Sequence, residues 1–334
     1  MRLSRRQALA GLGGLAALRL AGGKVRAQDA TPAAGEWTFT DDAGKTVTLP
    51  QAPRTVVADL NAATALWDFG VRPVAVSGWT IATDAAWGNI DRDTPVINAN
   101  AGAPEPDLEK LLEIKPDLFV TITWGPEDES GEPPYAWSFT EDEHYQRVND
   151  IVPVIGISAA GLADRNMARY AELAALLGAD LETSELQAAK ATYDERVARF
   201  SEVAQEKADL TSLFASANGE HVYVANPPDW ADLAWYRSLG MNILDPEAAR
   251  WAYWEELSAE QAGKYQPDVF FQSERDGSFT KDELAAHPLY STLPAIKAGQ
   301  GGPWNQDFIQ SYQGLGAALD AMIATLENAE KVTG

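Results

Sequence analysis

Apolar residues recur along this chain with two periods, and the alternation between them lays out its elements. Between Gly178 and Gly219 neither glycine nor proline interrupts the sequence, and Leu186, Ala189, Tyr193, Val197, Phe200 and Ala204 follow at spacings of three and four. Those spacings draw one apolar stripe down a helix from about Thr183 to Ala208, roughly 37 Å long at about 1.5 Å per residue. Ser184 with Gln187 reads as a capping box at its start, and Glu195 with Arg199 as an i,i+4 ion pair.

Before that helix, Trp37–Thr40 and Val47–Leu49 flank the turn signal Asp42-Ala43-Gly44 and predict a hairpin. Strands are then predicted at Thr55–Leu60, Pro73–Ser77, Pro95–Asn98, Leu118–Thr123 and Pro153–Ile157, with helices at Ala62–Phe69, Asp107–Ile114 and Asp164–Leu177. After it come strands His221–Ala225, Asn242–Leu244 and Val269–Gln272, and helices Trp230–Leu239, Ser258–Lys264, Lys281–His287 and Gln306–Leu326. Short continuous apolar strands alternating with helices predict an α/β fold with mainly parallel sheets.

The two halves also repeat each other. Glu109 is followed after six residues by Pro116-Asp117-Leu118-Phe119-Val120, and Glu260 at the same interval by Pro267-Asp268-Val269-Phe270-Phe271. Upstream, Phe69-Gly70-Val71 and Leu239-Gly240-Met241 each close a helix with a glycine C-cap before a predicted strand. Two similar lobes joined by the long helix imply a cleft between them for a small ligand. The divisions expected are an export signal over residues 1–27, a flexible tether over 28–36, an N-terminal lobe over 37–180, the connecting helix over 181–209 and a C-terminal lobe over 210–334.

Composition narrows the setting. Ser4-Arg5-Arg6 before a mildly apolar run, and Val25-Arg26-Ala27 before Gln28, resemble a twin-arginine export leader, although Ala8 replaces the usual bulky residue. The formal dinucleotide pattern at Gly11–Ala16 falls inside that leader with no strand before it and is discounted. Removing a leader with six basic and no acidic residues takes the net charge from −23 to −29, a poor match for nucleic acid or an anionic membrane. With no cysteine there is no disulfide, thiolate metal site or lipid anchor, so the expectation is an exported, soluble, unanchored monomer.

Several motifs together resemble the substrate-binding proteins of iron-siderophore and cobalamin ABC importers. They are Asp42-x-Gly44 with Pro53-Arg54-Thr55-Val56-Val57, Leu66-x-x-Phe69-Gly70-Val71-x-Pro73-Val74, Asp107–Leu118, Tyr170-x-x-Leu173-x-x-Leu176-Leu177-Gly178, and Leu257-Ser258-x-Glu260. The resemblance covers nearly all of the mature chain. It implies capture of a ferric siderophore and delivery to an ABC permease, with Glu109 and Glu260 as the residues that dock onto it. Cobalamin or haem is the alternative ligand within that class.

Eleven tryptophans are a heavy load, and several fall where loops leave strand ends. Trp79, Trp124, Trp230, Trp254 and Trp304 are the candidate ligand contacts, with Tyr135 and Trp137 in a loop from Trp124 to Glu143. A lid over the cleft and a plain surface excursion fit that loop equally. Arg275 is the best-placed cation for an anionic ligand group, and an ion pair with Glu274 or Asp276 fits it as well. The acidity and the single persuasive cation favour a neutral or cationic chelate such as a ferric hydroxamate. No Gly-x-Ser-x-Gly, phosphate loop, zinc-binding histidine pair or free-metal cluster is evident, and no cofactor is expected. A secreted carbohydrate hydrolase with a tryptophan-lined cleft remains the reading from another class.

Overall fold

The structure, a computed structural model, describes residues 35–82, 84–100, 103–124, 135–136, 138–139 and 141–333. The leader, nearly all of the tether and Trp137 lie outside the described residues, as does the middle of the Trp124–Glu143 loop. The chain begins with a hairpin, β1 (Trp37–Thr40) and β2 (Thr46–Leu49), with Trp37 opposite Leu49. Asp41 turns it, its Oδ1 accepting the Ala43 and Lys45 backbone N–H groups at 3.0 and 2.8 Å.

The first lobe runs β3 (Val56–Asp59), α1 (Leu60–Asp68), β4 (Ala75–Ser77), α2 (Leu108–Ile114), β5 (Leu118–Trp124), β6 (Tyr135–Ala136), α3 (Asp142–Ile151), β7 (Val154–Ser158) and α4 (Ala163–Leu176). β3 lies parallel to β4 and β5, β7 parallel to β5, and the short β6 runs antiparallel along the end of β5. Val57, Ala58, Phe119 and Val120 are buried, as a strand covered on both faces requires. The predicted strand at Pro95–Asn98 makes only isolated bridges, from Val96 to Val76 and from Asn98 to Pro106. Pro95 and Pro106 lack the N–H groups a continuous ladder needs.

Helix α5 (Ser184–Glu206) leads into β8 (Ser212–Ala217), β9 (His221–Ala225), α6 (Ala231–Ser238), β10 (Trp254–Ser258), β11 (Val269–Ser273), α7 (Lys281–Ala286), α8 (Pro294–Lys297), β12 (Gly301–Trp304) and α9 (Tyr312–Glu327). The second sheet has the order β10-β9-β8-β11-β12. β8, β11 and β12 are parallel, whereas β9 runs antiparallel to both of its neighbours, β8 and β10, so this sheet is mixed where mainly parallel strands were expected. The cause is β8, whose serines hide it in the sequence. Only Asn218–Glu220 separates it from β9, and so short a link permits a hairpin and no crossover.

Two expectations for α5 need correction. Thr183, in extended backbone geometry, is the N-cap and accepts the Leu186 N–H at 3.3 Å. That places Ser184 inside the first turn, while the Gln187 amide reaches back to the Leu181 carbonyl at 3.1 Å. Arg199 turns from Glu195 to Glu202 and to Glu327 of α9, the latter at 2.6 Å, because α9 packs along α5.

The repeat has a physical basis. Gly70 and Gly240 take φ of 95° and 111°, and the next residues, Val71 and Met241, return N–H bonds to Leu66 and Tyr236 at 2.9 and 3.1 Å, the Schellman closure that favours glycine. Asp117 accepts the Arg54 and Thr55 N–H groups at 2.8 and 2.9 Å, and Asp268 accepts that of Thr211 at 2.8 Å. Each carboxylate thus fixes the entry to the neighbouring strand. The segment after Ser258 is a 3-10 turn (Ala259–Lys264) in place of the predicted α-helix, with Gly263 inside it and Pro267 soon after.

Candidate ligand cleft

The C-terminal ends of β3 and β5 in one lobe face the start of α6 and the loops after β11 and β12 in the other. Between them lies a cavity of about 340 Å3. Asn61, Thr64, Thr80, Ile122, Trp124 and Ala159 line it from the first lobe, and Trp230, Asp232, Arg275, Asp276, Gln306, Asp307, Phe308 and Gln310 from the second.

Trp124, the last residue of β5, crosses to the second lobe. Its ring meets Trp230 edge-on at 6.0 Å and Tyr253 at 5.2 Å between centroids. Trp230 is buried, and its Nε1 donates to the Tyr253 carbonyl at 2.9 Å. Behind it stand Trp254 and Trp304, with centroids 4.9 and 5.3 Å away. Trp254 belongs to β10 and supports Trp230 from behind the cleft wall. Trp304 is 1 % exposed and belongs to a strand where a loop was expected, because Gly301–Trp304 pairs in parallel with β11. Its Nε1 donates to Asp232 at 2.7 Å.

Trp79 is not brought to this cleft. Gly78, at φ 133°, packs so closely on Asp59 that a Cβ would lie 2.6 Å from the carboxylate, and the chain turns aside there. Trp79, 47 % exposed, borders a separate hollow of about 470 Å3 with Val96 and Lys110. Tyr135 pairs through its backbone with Trp124 in the β5–β6 ladder. Glu109, in the first turn of α2, and Glu260, in the 3-10 turn, are both exposed.

Arg275 lines the cleft, yet its partner is neither Glu274 nor Asp276. Nε and Nη2 grip Asp307 at 2.9 and 2.7 Å, and the guanidinium lies 5.6 Å from the Trp230 ring centroid. Asp232 is buried beside it. Burial pushes its carboxyl up to about 6, against the opposing pull of the Trp304 indole, the Leu233 N–H and Arg275.

A strained loop supports the aromatic wall. Trp251 and Tyr253 hold φ of 69° and 60°, a left-handed geometry unfavourable for bulky side chains. The buried carboxylate of Asp229 enforces it by accepting the Trp251 and Tyr253 N–H groups at 2.9 and 3.1 Å while pairing with Arg250. Arg250 also lies over the Trp251 ring, 3.7 Å from its centroid. Nothing local in the sequence singles out Asp229, Asp232, Asp307, Gln306 or Gln310. The aspartates are lost among the other acidic residues of the chain, and no motif marks the glutamines.

Comparisons with known proteins agree with this architecture. A family described as periplasmic binding protein matches residues 65–300. DesE, a ferric-siderophore receptor protein from Streptomyces coelicolor, is 30 % identical with a TM-score of 0.77, over 89 % of this chain and 100 % of its own. The Fe(3+)-citrate-binding protein YfmC of Bacillus subtilis is 24 % identical over 82 % of this chain and 80 % of its own. The catecholate-siderophore binding protein VctP of Vibrio cholerae shares the fold at 18 % identity and a TM-score of 0.59, over 87 % of this chain and 99 % of its own.

Proposed function

Because the chain belongs to the periplasmic binding protein family, we propose that it is the extracytoplasmic binding component of an ABC importer and that its cargo is a low-charge ferric chelate of the hydroxamate type. Its role is binding, without catalysis. The observation that carries the reading is the commitment of Arg275 to Asp307. Among the described residues lining the cleft, Arg275 stands against Asp232, Asp276 and Asp307. A trianionic catecholate, or an anionic citrate complex like the cargo named for the Bacillus relative, requires several cations there, since burying unpaired charge is costly. The net charge of the mature chain opposes such ligands at long range as well. A neutral or cationic chelate stacked against Trp124 and Trp230 fits both.

Export rests on the Arg5-Arg6 leader, with a mature start near Gln28. Docking onto the permease rests on Glu109 and Glu260, which occupy matching places in the two halves.

Tryptophan fluorescence tests the ligand reading. Titration with a neutral ferric trihydroxamate is expected to quench it, and Trp124→Ala to weaken binding by about 1–3 kcal/mol. Nanomolar quenching by a ferric triscatecholate with none by the hydroxamate would overturn the proposal.

A further inference from the structure

After β12 the chain crosses the base of the cleft through Gln306–Gln310 before α9 begins, and both glutamines line the cavity. Gln306 is only 8 % exposed. A short relay orients its amide. The Arg275 N–H donates to Ser273 Oγ at 3.2 Å, and the Ser273 hydroxyl donates its proton to Gln306 Oε1 at 2.5 Å. With Oε1 so held, Nε2 is directed elsewhere and is buried with no acceptor among the described residues. Gln310 Oε1 is likewise buried without a donor among them. Buried polar groups are ordinarily paired, so an unsatisfied donor and an unsatisfied acceptor on one cavity wall call for an explanation.

We infer that Gln306 and Gln310 are specificity-determining residues that read a secondary amide of the cargo, Gln306 donating to its carbonyl oxygen and Gln310 accepting from its N–H. This inference rests on the ligand reading above and narrows it to chelates whose hydroxamates are joined by amide links. Both side chains are uncharged, so they add selectivity without changing the balance set by Arg275 and the three aspartates. A citrate complex supplies oxygen acceptors but no N–H, and it leaves Gln310 unanswered. A site built to hydrogen-bond such groups discriminates strongly against ligands that lack them.

The test compares Gln306→Met and Gln310→Met with the unaltered protein, using a ferric trihydroxamate linked by secondary amides and, as a control, ferric tris(N-methylacetohydroxamate), which has no N–H. Each variant is expected to bind the amide-linked chelate at least about tenfold more weakly. Gln310→Met is expected to leave binding of the control unchanged. The ligand-free melting temperatures are expected to stay within a few degrees of the parent. Unchanged affinity for the amide-linked chelate in both variants would overturn the inference while leaving the ligand reading intact. A loss of stability in step with the loss of binding, in both variants, would show the amides to be structural and overturn it too. If the unaltered protein binds no ferric hydroxamate, the ligand reading and this inference fall together.

Discussion

The Ser311 hydroxyl donates to the Asp68 carboxylate at 2.6 Å, tying the start of α9 to the end of α1 and so one lobe to the other. Ser311 is also the N-cap of α9, accepting the Gly314 N–H at 3.1 Å. Beside it Tyr312 packs edge-on against Phe69, with centroids 5.3 Å apart, and lies 5.7 Å from the Tyr193 ring of the long helix. The base of the cleft is therefore fastened at a buried point close to the connecting helix.

From this fastening follows a prediction about motion. Ser311→Ala removes the inter-lobe bond and the cap together, and it is expected to cost about 1–2 kcal/mol in urea denaturation. With the latch in place, adding cargo is expected to change the radius of gyration very little, since one rigid helix permits less hinge bending than flexible crossovers do. X-ray scattering that shows closure by several ångströms in the unaltered protein would contradict this.

Asp232 gives a pH dependence of definite sign. Its folded-state value of about 6 stands above the 3.8 of a free aspartate. The folded protein therefore holds this proton more tightly than the unfolded chain does. Stability falls as pH rises from about 4 to 6, and the full cost is present above 6. Asp59, raised to about 6 by the same cause, contributes in the same direction. Asp232→Asn keeps an acceptor for the Trp304 indole and removes the charge. It is expected to raise stability by roughly 3 kcal/mol at pH 8 and to leave it nearly unchanged at pH 3.5. An equal gain at both pH values would show that charge burial is not the cause.

Asp268 works the other way. Burial raises its carboxyl, but hydrogen bonds from Thr211, Lys331, Val332 and Thr333 outweigh that and hold it well below the usual range. Asp268→Ala strands those donors and frees the C-terminal segment, so a loss of about 2–4 kcal/mol is expected at neutral pH. Asp117, its counterpart, is exposed and accepts two backbone N–H groups. Asp117→Ala is expected to cost clearly less, and equal losses in thermal melts would count against the account.

The paired glutamates yield a functional prediction. Glu109→Arg and Glu260→Arg are each expected to impair uptake while leaving cargo affinity within about twofold, because both side chains stand on the exterior away from the cleft lining. Parallel loss of binding and uptake in either variant would remove it from the docking surface.

The repeating Glu–Pro-Asp spacing, the glycine-closed helices and the unbroken stripe of α5 were legible because each is set by neighbours a few residues away. Backbone geometry and the burial of one face dictate such patterns wherever they occur, so two α/β lobes and a connecting helix could be read from the sequence alone. β8 escaped because its serines satisfy no apolar period, and its place in the sheet is set between its hairpin partner β9 and the distant β11. Of the candidate aromatics, Trp124 and Trp230 were brought to the cleft, Trp254 and Trp304 were set behind its wall, and Trp79 was turned onto another surface. No local signal separates these outcomes, because the direction of a side chain at a strand end depends on the lobe packed against it. Arg275 makes the same point. The sequence offered a cation for the cleft, but only the fold brought Asp307, on a different loop, within 2.7 Å of it and so decided which charge the cleft presents.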